Sequence, residues 1–178
     1  TVEIDKEDIV NYKKEKTAAW MEDGTLPKRK INYLSMDFNT ITVNKIVHEL
    51  TKSLTDAPTF ILLEGVLFFL NSKTTNELFQ LFGAIQKSGD LLGSVSYDPQ
   101  VQTTDVYQKL LAYFDKNNDT NDTFAQQTLP VAFYQNLKEY TLLKNTEEFE
   151  AARVDAVNYT LPKKTEVLNE SFYILKKN

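Results

Sequence analysis

Three acids stand where an apolar stretch gives way to a turn. Asp5 follows Val2-Glu3-Ile4, Asp37 follows Tyr33-Leu34-Ser35-Met36, and Glu64 interrupts the apolar run from Pro58 to Leu70. An ionised carboxylate is a pure acceptor with room for several donors. At a strand's carboxyl end it can accept from ribose hydroxyls or from an exocyclic amine, which is the chemistry of holding a nucleoside. The plainer reading is that each acid caps the helix that follows. For Asp5 taken alone that reading is favoured; three acids in one setting favour the nucleoside site. Glu64 raises a further question, because burying an unpaired carboxylate costs several kcal/mol. Either a ligand meets it or backbone N–H groups satisfy it. Gly65, directly after, lets the chain turn and lets a ligand approach the backbone.

These acids require a particular scaffold. Val2 and Ile4 alternate with Glu3 and Asp5 as a short strand, and helical spacing follows from Lys6 to about Glu22, capped by Asp5 or Asp8. Arg29–Leu34 is a second strand, and a helix capped by Thr40 or Thr42 runs to Leu54. The run from Pro58 to Leu70 is expected to be a strand buried on both faces. It is shorter than the roughly 20 apolar residues a membrane-spanning helix needs. A helix capped by Ser72 carries Leu78, Phe79, Leu81, Phe82 and Ile85, and Leu91–Tyr97 is a strand. Strand and helix thus alternate through residue 97, which argues a parallel sheet with right-handed crossovers. In such a sheet all carboxyl ends lie on one edge, where ligands bind. Beyond it come a helix ending near Lys116, a polar loop at Asn117–Thr123, a helical stretch at Leu129–Leu137, a strand at Glu139–Leu143, a short helix at Glu147–Ala152 and a last strand at Leu168–Lys176.

Composition sets bounds. The 178 residues are 42% apolar and 25% charged, with a net charge of −5, one histidine and no cysteine. That length supports one domain with a proper core. The charge argues against a nucleic-acid surface. The absence of cysteine excludes a disulfide framework and a thiolate metal site and fits a reducing compartment. No signal peptide or transmembrane run is visible, so a cytoplasmic protein without a membrane partner is expected. His48 is read as solvated or at the edge of the core. Lys13, Lys14 and Lys16 are read as a solvated helix face, and Tyr12 and Trp20 as core. Tyr97 and Asp98 end a strand and could line an acceptor pocket; a strand end and turn before Pro99 explains them equally well.

Glu3-Ile4-Asp5, Tyr33-Leu34-Ser35-Met36-Asp37-Phe38 and Leu63-Glu64-Gly65-Val66-Leu67-Phe68-Phe69-Leu70 resemble the successive motifs of the leucine carboxyl methyltransferase family, over residues 1 to about 100. The resemblance implies an α/β, Rossmann-like class I methyltransferase sheet, mostly parallel with an antiparallel last strand, in a single domain over 1–178. A helical substrate cover is expected near 102–137. It implies S-adenosyl-L-methionine as cofactor, with Asp5 on the ribose hydroxyls, Asp37 and Phe38 on the adenine, and Glu64 near the methionine part. The implied reaction is O-methylation of a carboxylate or hydroxyl, on a small molecule or a peptide acceptor. Methyl transfer from a sulfonium rests on alignment, so no catalytic base and no metal are expected. The same fold holding a nucleoside without methyl transfer is an alternative. A nucleotide-dependent reductase is another, though no phosphate cradle is present.

The sequence departs from the family in one region. Its first strand and Gly-rich loop are expected to precede residue 1, and no Gly-x-Gly occurs among the five glycines. The family's basic residues for the cofactor carboxylate are absent as well. Without the first strand the sheet is expected in two pieces with exposed apolar edges. The chain is therefore expected to be the carboxyl-terminal piece of a larger protein, with an amino-terminal fragment of that protein as its partner.

Overall fold

The computed structural model describes residues 1–38, 43–117, 127–155 and 162–178. It divides into two compact units, Thr1–Ala57 and Pro58–Asn178.

The first unit holds β1 (Val2–Asp5), α1 (Glu7–Glu22), β2 (Asn32–Ser35) and α2 (Val43–Ser53). β1 and β2 pair in parallel, with Ile4 opposite Leu34 and Asp5 opposite Ser35. Bonds from Asn32 N–H to Thr1 O (3.0 Å) and from Met36 N–H to Asp5 O (2.8 Å) extend the ladder at both ends. A Thr17–Tyr33 hydroxyl contact ties α1 to β2. Among the described residues the unit buries the apolar side chains of Val10, Met36, Ile46 and Leu50. Tyr12 and Trp20 are not core: they are 61% and 45% exposed. Lys16 Nζ lies 5.6 Å from the Tyr12 ring centre, so the ring serves a surface cation instead. The cap of α1 also differs from expectation. The residue before the helix is Lys6, with no side-chain cap bond. The caps expected at Thr40 and Thr42 lie outside the described residues.

The second unit holds β3 (Phe60–Leu63), α3 (Ser72–Ile85), β4 (Leu91–Tyr97), α4 (Asp105–Lys116), α5 (Val131–Gln135), β5 (Tyr140–Glu147), α6 (Glu148–Asp155) and β6 (Glu170–Lys177). The sheet order is β3-β4-β6-β5. β3 and β4 are parallel, while β6 runs antiparallel to both β4 and β5. On one sheet face α5 sends Tyr134 onto Ser94 and Ser96 at 3.0 and 2.8 Å, and Phe79 of α3 meets Tyr134 edge to face. On the other, Phe68, Val101 and Tyr107 form a cluster with Tyr97, Leu110, Leu111, Phe114 and Leu168. The two faces follow from the strand's period of two residues.

The apolar run from Pro58 to Leu70 is not one strand buried on both faces. It breaks at Gly65, whose φ of 65° suits glycine. Leu67–Phe69 then forms a 3-10 turn that buries Leu67 and Phe68. β3 lies at the sheet's edge, with Phe60 58% and Leu62 54% exposed. α3 is capped by Asn71, whose side chain accepts from Thr74 N–H at 2.8 Å, and not by Ser72. Among the described residues no helix is long and apolar enough to cross a membrane.

Candidate functional site

In the first unit, β1 ends in Asp5, and β2 is followed two residues on by Asp37. Because the strands are parallel and in register, both acids sit at the same end of the sheet. Asp5 is half-buried. Its Oδ1 accepts from the Lys6 backbone N–H at 2.9 Å, and its Oδ2 lies 3.2 Å from Lys13 Nζ. Lys13 reaches Glu3 as well, at 3.4 Å. Burial pulls the Lys13 ammonium down, but its bond to Asp5 and the charges of Glu3 and Asp5 outweigh that and leave it raised. Asp37 is partly exposed and lies 3.8 Å from Lys6 Nζ. Met36 between the strand and Asp37 is buried, which anchors the loop. Phe38 is half-buried beside Asp37. Two carboxylates and an aromatic ring at one strand edge can take the hydroxyls and the base of a nucleoside.

In the second unit, Glu64 follows β3 directly and is exposed, not buried. The desolvation cost that singled it out in the sequence therefore does not arise. Tyr97 closes β4 with its ring edge-on to Phe68 and Tyr107, both at 5.5 Å. Burial, then Glu170, Tyr107 and Glu148, push its phenol up to about 12. Asp98 accepts from Gln100 N–H at 3.0 Å and so opens the turn after Pro99.

One neighbour was not singled out by the sequence reading. Glu170 opens β6 directly opposite Tyr97. Burial, then the charges of Glu148 and Glu64, raise its carboxyl above the ordinary range. Glu64 and Tyr97 therefore share Glu170 as a neighbour. The readable signal was a glutamate at the head of the last apolar strand. Lys13 was read as part of a solvated helix face; it is instead half-buried and paired with Asp5 and Glu3, partners that depend on how α1 lies over β1. Among the described residues no group of acids and histidine has the geometry to hold a metal.

The structure thus places Asp5, Asp37 and Phe38 together in the first unit, and Glu64, Tyr97 and Asp98 in the second. Known proteins give the fold a context. Residues 1–83 match the leucine carboxyl methyltransferase family. A DUF574 family protein from Streptomyces avermitilis superposes with a TM-score of 0.66 at 14% identity, covering 99% of this chain and 64% of that one. A Thermobifida fusca protein taken to be a methyltransferase gives 0.62 at 14% identity, over 99% of this chain and 62% of its own. The N-methyltransferase NodS of Bradyrhizobium japonicum, solved with S-adenosyl-L-homocysteine, gives 0.55 at 9% identity, over 99% and 65%. The chain spans under two thirds of the length of each. No curated protein matches the sequence. The chain carries the leucine carboxyl methyltransferase match over residues 1–83 and has the fold of the class I S-adenosylmethionine-dependent methyltransferases.

Proposed function

We propose that this chain is part of an S-adenosyl-L-methionine-dependent O-methyltransferase whose acceptor is a carboxylate or a hydroxyl, on a small molecule or a peptide. The observation that carries the reading is the pair Asp5 and Asp37, at the carboxyl ends of two in-register parallel strands inside the family match. In this reading Asp5 accepts from the ribose hydroxyls. Asp37 accepts from the adenine amine through its side-chain oxygen, the Phe38 backbone amide donates to the base, and Glu64 stands near the methionine part. Tyr97 and Asp98 border the acceptor, and the helices near 102–137 cover it. Bound S-adenosyl-L-methionine supplies an electrophilic methyl on a sulfonium. The chain's own residues hold the nucleoside, and no residue is assigned as a base.

The same reading includes a partner. An amino-terminal segment of the same protein would lie along the free edge of β3, and the exposed Phe60 and Leu62 there support it. A cytoplasmic location is part of the reading, supported by the lack of cysteine. The Asp5 and Asp37 pair accounts for nucleoside binding alone, which supports as a second reading a protein of the same fold that binds the nucleoside without transferring methyl.

Incubating the protein with methyl-labelled S-adenosyl-L-methionine and a panel of carboxylic acids, alcohols and peptides tests these readings. Labelled ester or ether is expected. Binding without label transfer to any acceptor would support the second reading, and neither binding nor transfer would reject both.

A further inference from the structure

We infer that Lys13 is a positioning residue that fixes the Asp5 carboxylate as a two-toothed acceptor for a vicinal diol; this rests on the nucleoside reading of Asp5. The two Asp5 oxygens are held from different directions, Oδ1 by the Lys6 backbone N–H at 2.9 Å and Oδ2 by Lys13 Nζ at 3.2 Å. Each carboxylate oxygen has two lone-pair directions. One contact per oxygen among the described residues leaves one acceptor direction on each, which matches the two O–H groups of a ribose cis-diol. An aspartate without the second contact would rotate about its terminal torsion, which is broad and soft, and would present the pair only part of the time.

Lys13 is itself restrained. Glu3 and Asp5 are two residues apart on β1 and point to the same side of the strand. They hold the ammonium between them at 3.4 and 3.2 Å. At the helix, Thr17 Oγ1 donates to the Lys13 carbonyl at 2.7 Å. A paired carboxylate on each side keeps the lysine charged. Its neighbour Lys14 is exposed and forms no ion pair with a described residue, so it serves as the control.

Calorimetry with adenosine, 2′-deoxyadenosine and S-adenosyl-L-homocysteine tests the assignment on wild type, Lys13→Ala, Lys13→Arg, Lys14→Ala and Asp5→Ala. Loss of one charge-assisted contact at a half-exposed site is expected to weaken S-adenosyl-L-homocysteine by roughly three- to tenfold in Lys13→Ala. The preference for adenosine over 2′-deoxyadenosine should shrink along with it. Lys13→Arg should restore the preference, and Lys14→Ala should not move it. A merely structural lysine would weaken both nucleosides alike. An undiminished preference in Lys13→Ala, with Asp5→Ala still impaired, overturns the role of Lys13 and leaves the Asp5 reading standing. Full binding in Asp5→Ala, or no binding by wild type, overturns both.

Discussion

Glu170 carries its proton to a higher pH than an ordinary glutamate because it is half-buried and because Glu148 and Glu64 face it. In the unfolded chain it ionises near the usual value of about 4.3. The folded chain therefore binds more protons between that value and the raised one. The stability this group contributes is complete below the unfolded value and is lost as pH rises through the folded one. Glu170→Gln should raise the melting temperature at neutral pH and leave it unchanged at about pH 4. Thermal melts followed by circular dichroism would show this; an equal shift at both pH values would contradict it. Asp90 does the opposite kind of work. It is 6% exposed, and its two oxygens accept from Thr59 and Lys87 N–H, each at 2.9 Å. Asp90→Ala strands both donors and should cost about 2–4 kcal/mol in denaturant unfolding. A cost under about 1 kcal/mol would mean that water replaces the carboxylate. At this scale the sequence showed the acids but not their partners. Asp5 and Asp37 were readable because each ends an apolar stretch. Lys13, Glu148 and Glu170 were not, because their meaning comes from neighbours supplied by the folded register.

Among the elements, β4 was legible to the residue: Gly89-Asp90 and Pro99 bracket an apolar stretch on both sides. β3 was not. An apolar run has the same composition whether both its faces are buried or it continues past a glycine into a buried turn. The antiparallel β6 was expected from the family and is present. α3 was legible from its apolar stripe, but its cap was misplaced by one residue, since Asn71 and Ser72 are both good caps. α3 also carries a close approach that no sequence pattern announces. A Cβ at Gly83 would sit 2.8 Å from Glu139 Cβ and Cγ, and Glu139 is bound to Lys177 at 2.8 Å. Helix propensity favours alanine at such a position by about 1 kcal/mol. Overpacking typically costs about 1–3 kcal/mol. Gly83→Ala should therefore lower the melting temperature. A rise would mean that Glu139 swings aside freely and that the contact carries no constraint.

For the molecule as a whole, the sheet in two pieces follows the expectation drawn from the family's strand order. The β1-β2 pair lies in the first unit and the four-stranded sheet in the second. The sequence pattern alone gave the alternation of strand and helix; it gave no sign of which edges are open. Edge strands are normally guarded by charge or proline, yet β3 from Phe60 to Leu63 has neither and exposes two large apolar side chains. The double variant Phe60→Lys, Leu62→Lys should raise the monomeric fraction in sedimentation velocity without lowering the melting temperature. An unchanged fraction would count against β3 as an edge that seeks a partner.

The central claim is that Asp5 and Asp37, at one end of the parallel β1-β2 pair, hold the nucleoside of S-adenosyl-L-methionine. Isothermal titration of S-adenosyl-L-homocysteine into wild type, Asp5→Ala and Asp37→Ala tests it most directly. Wild type should bind, and each variant should bind roughly tenfold or more weakly, as the loss of a hydrogen bond to a charged group requires. Equal affinity in all three proteins would contradict the account.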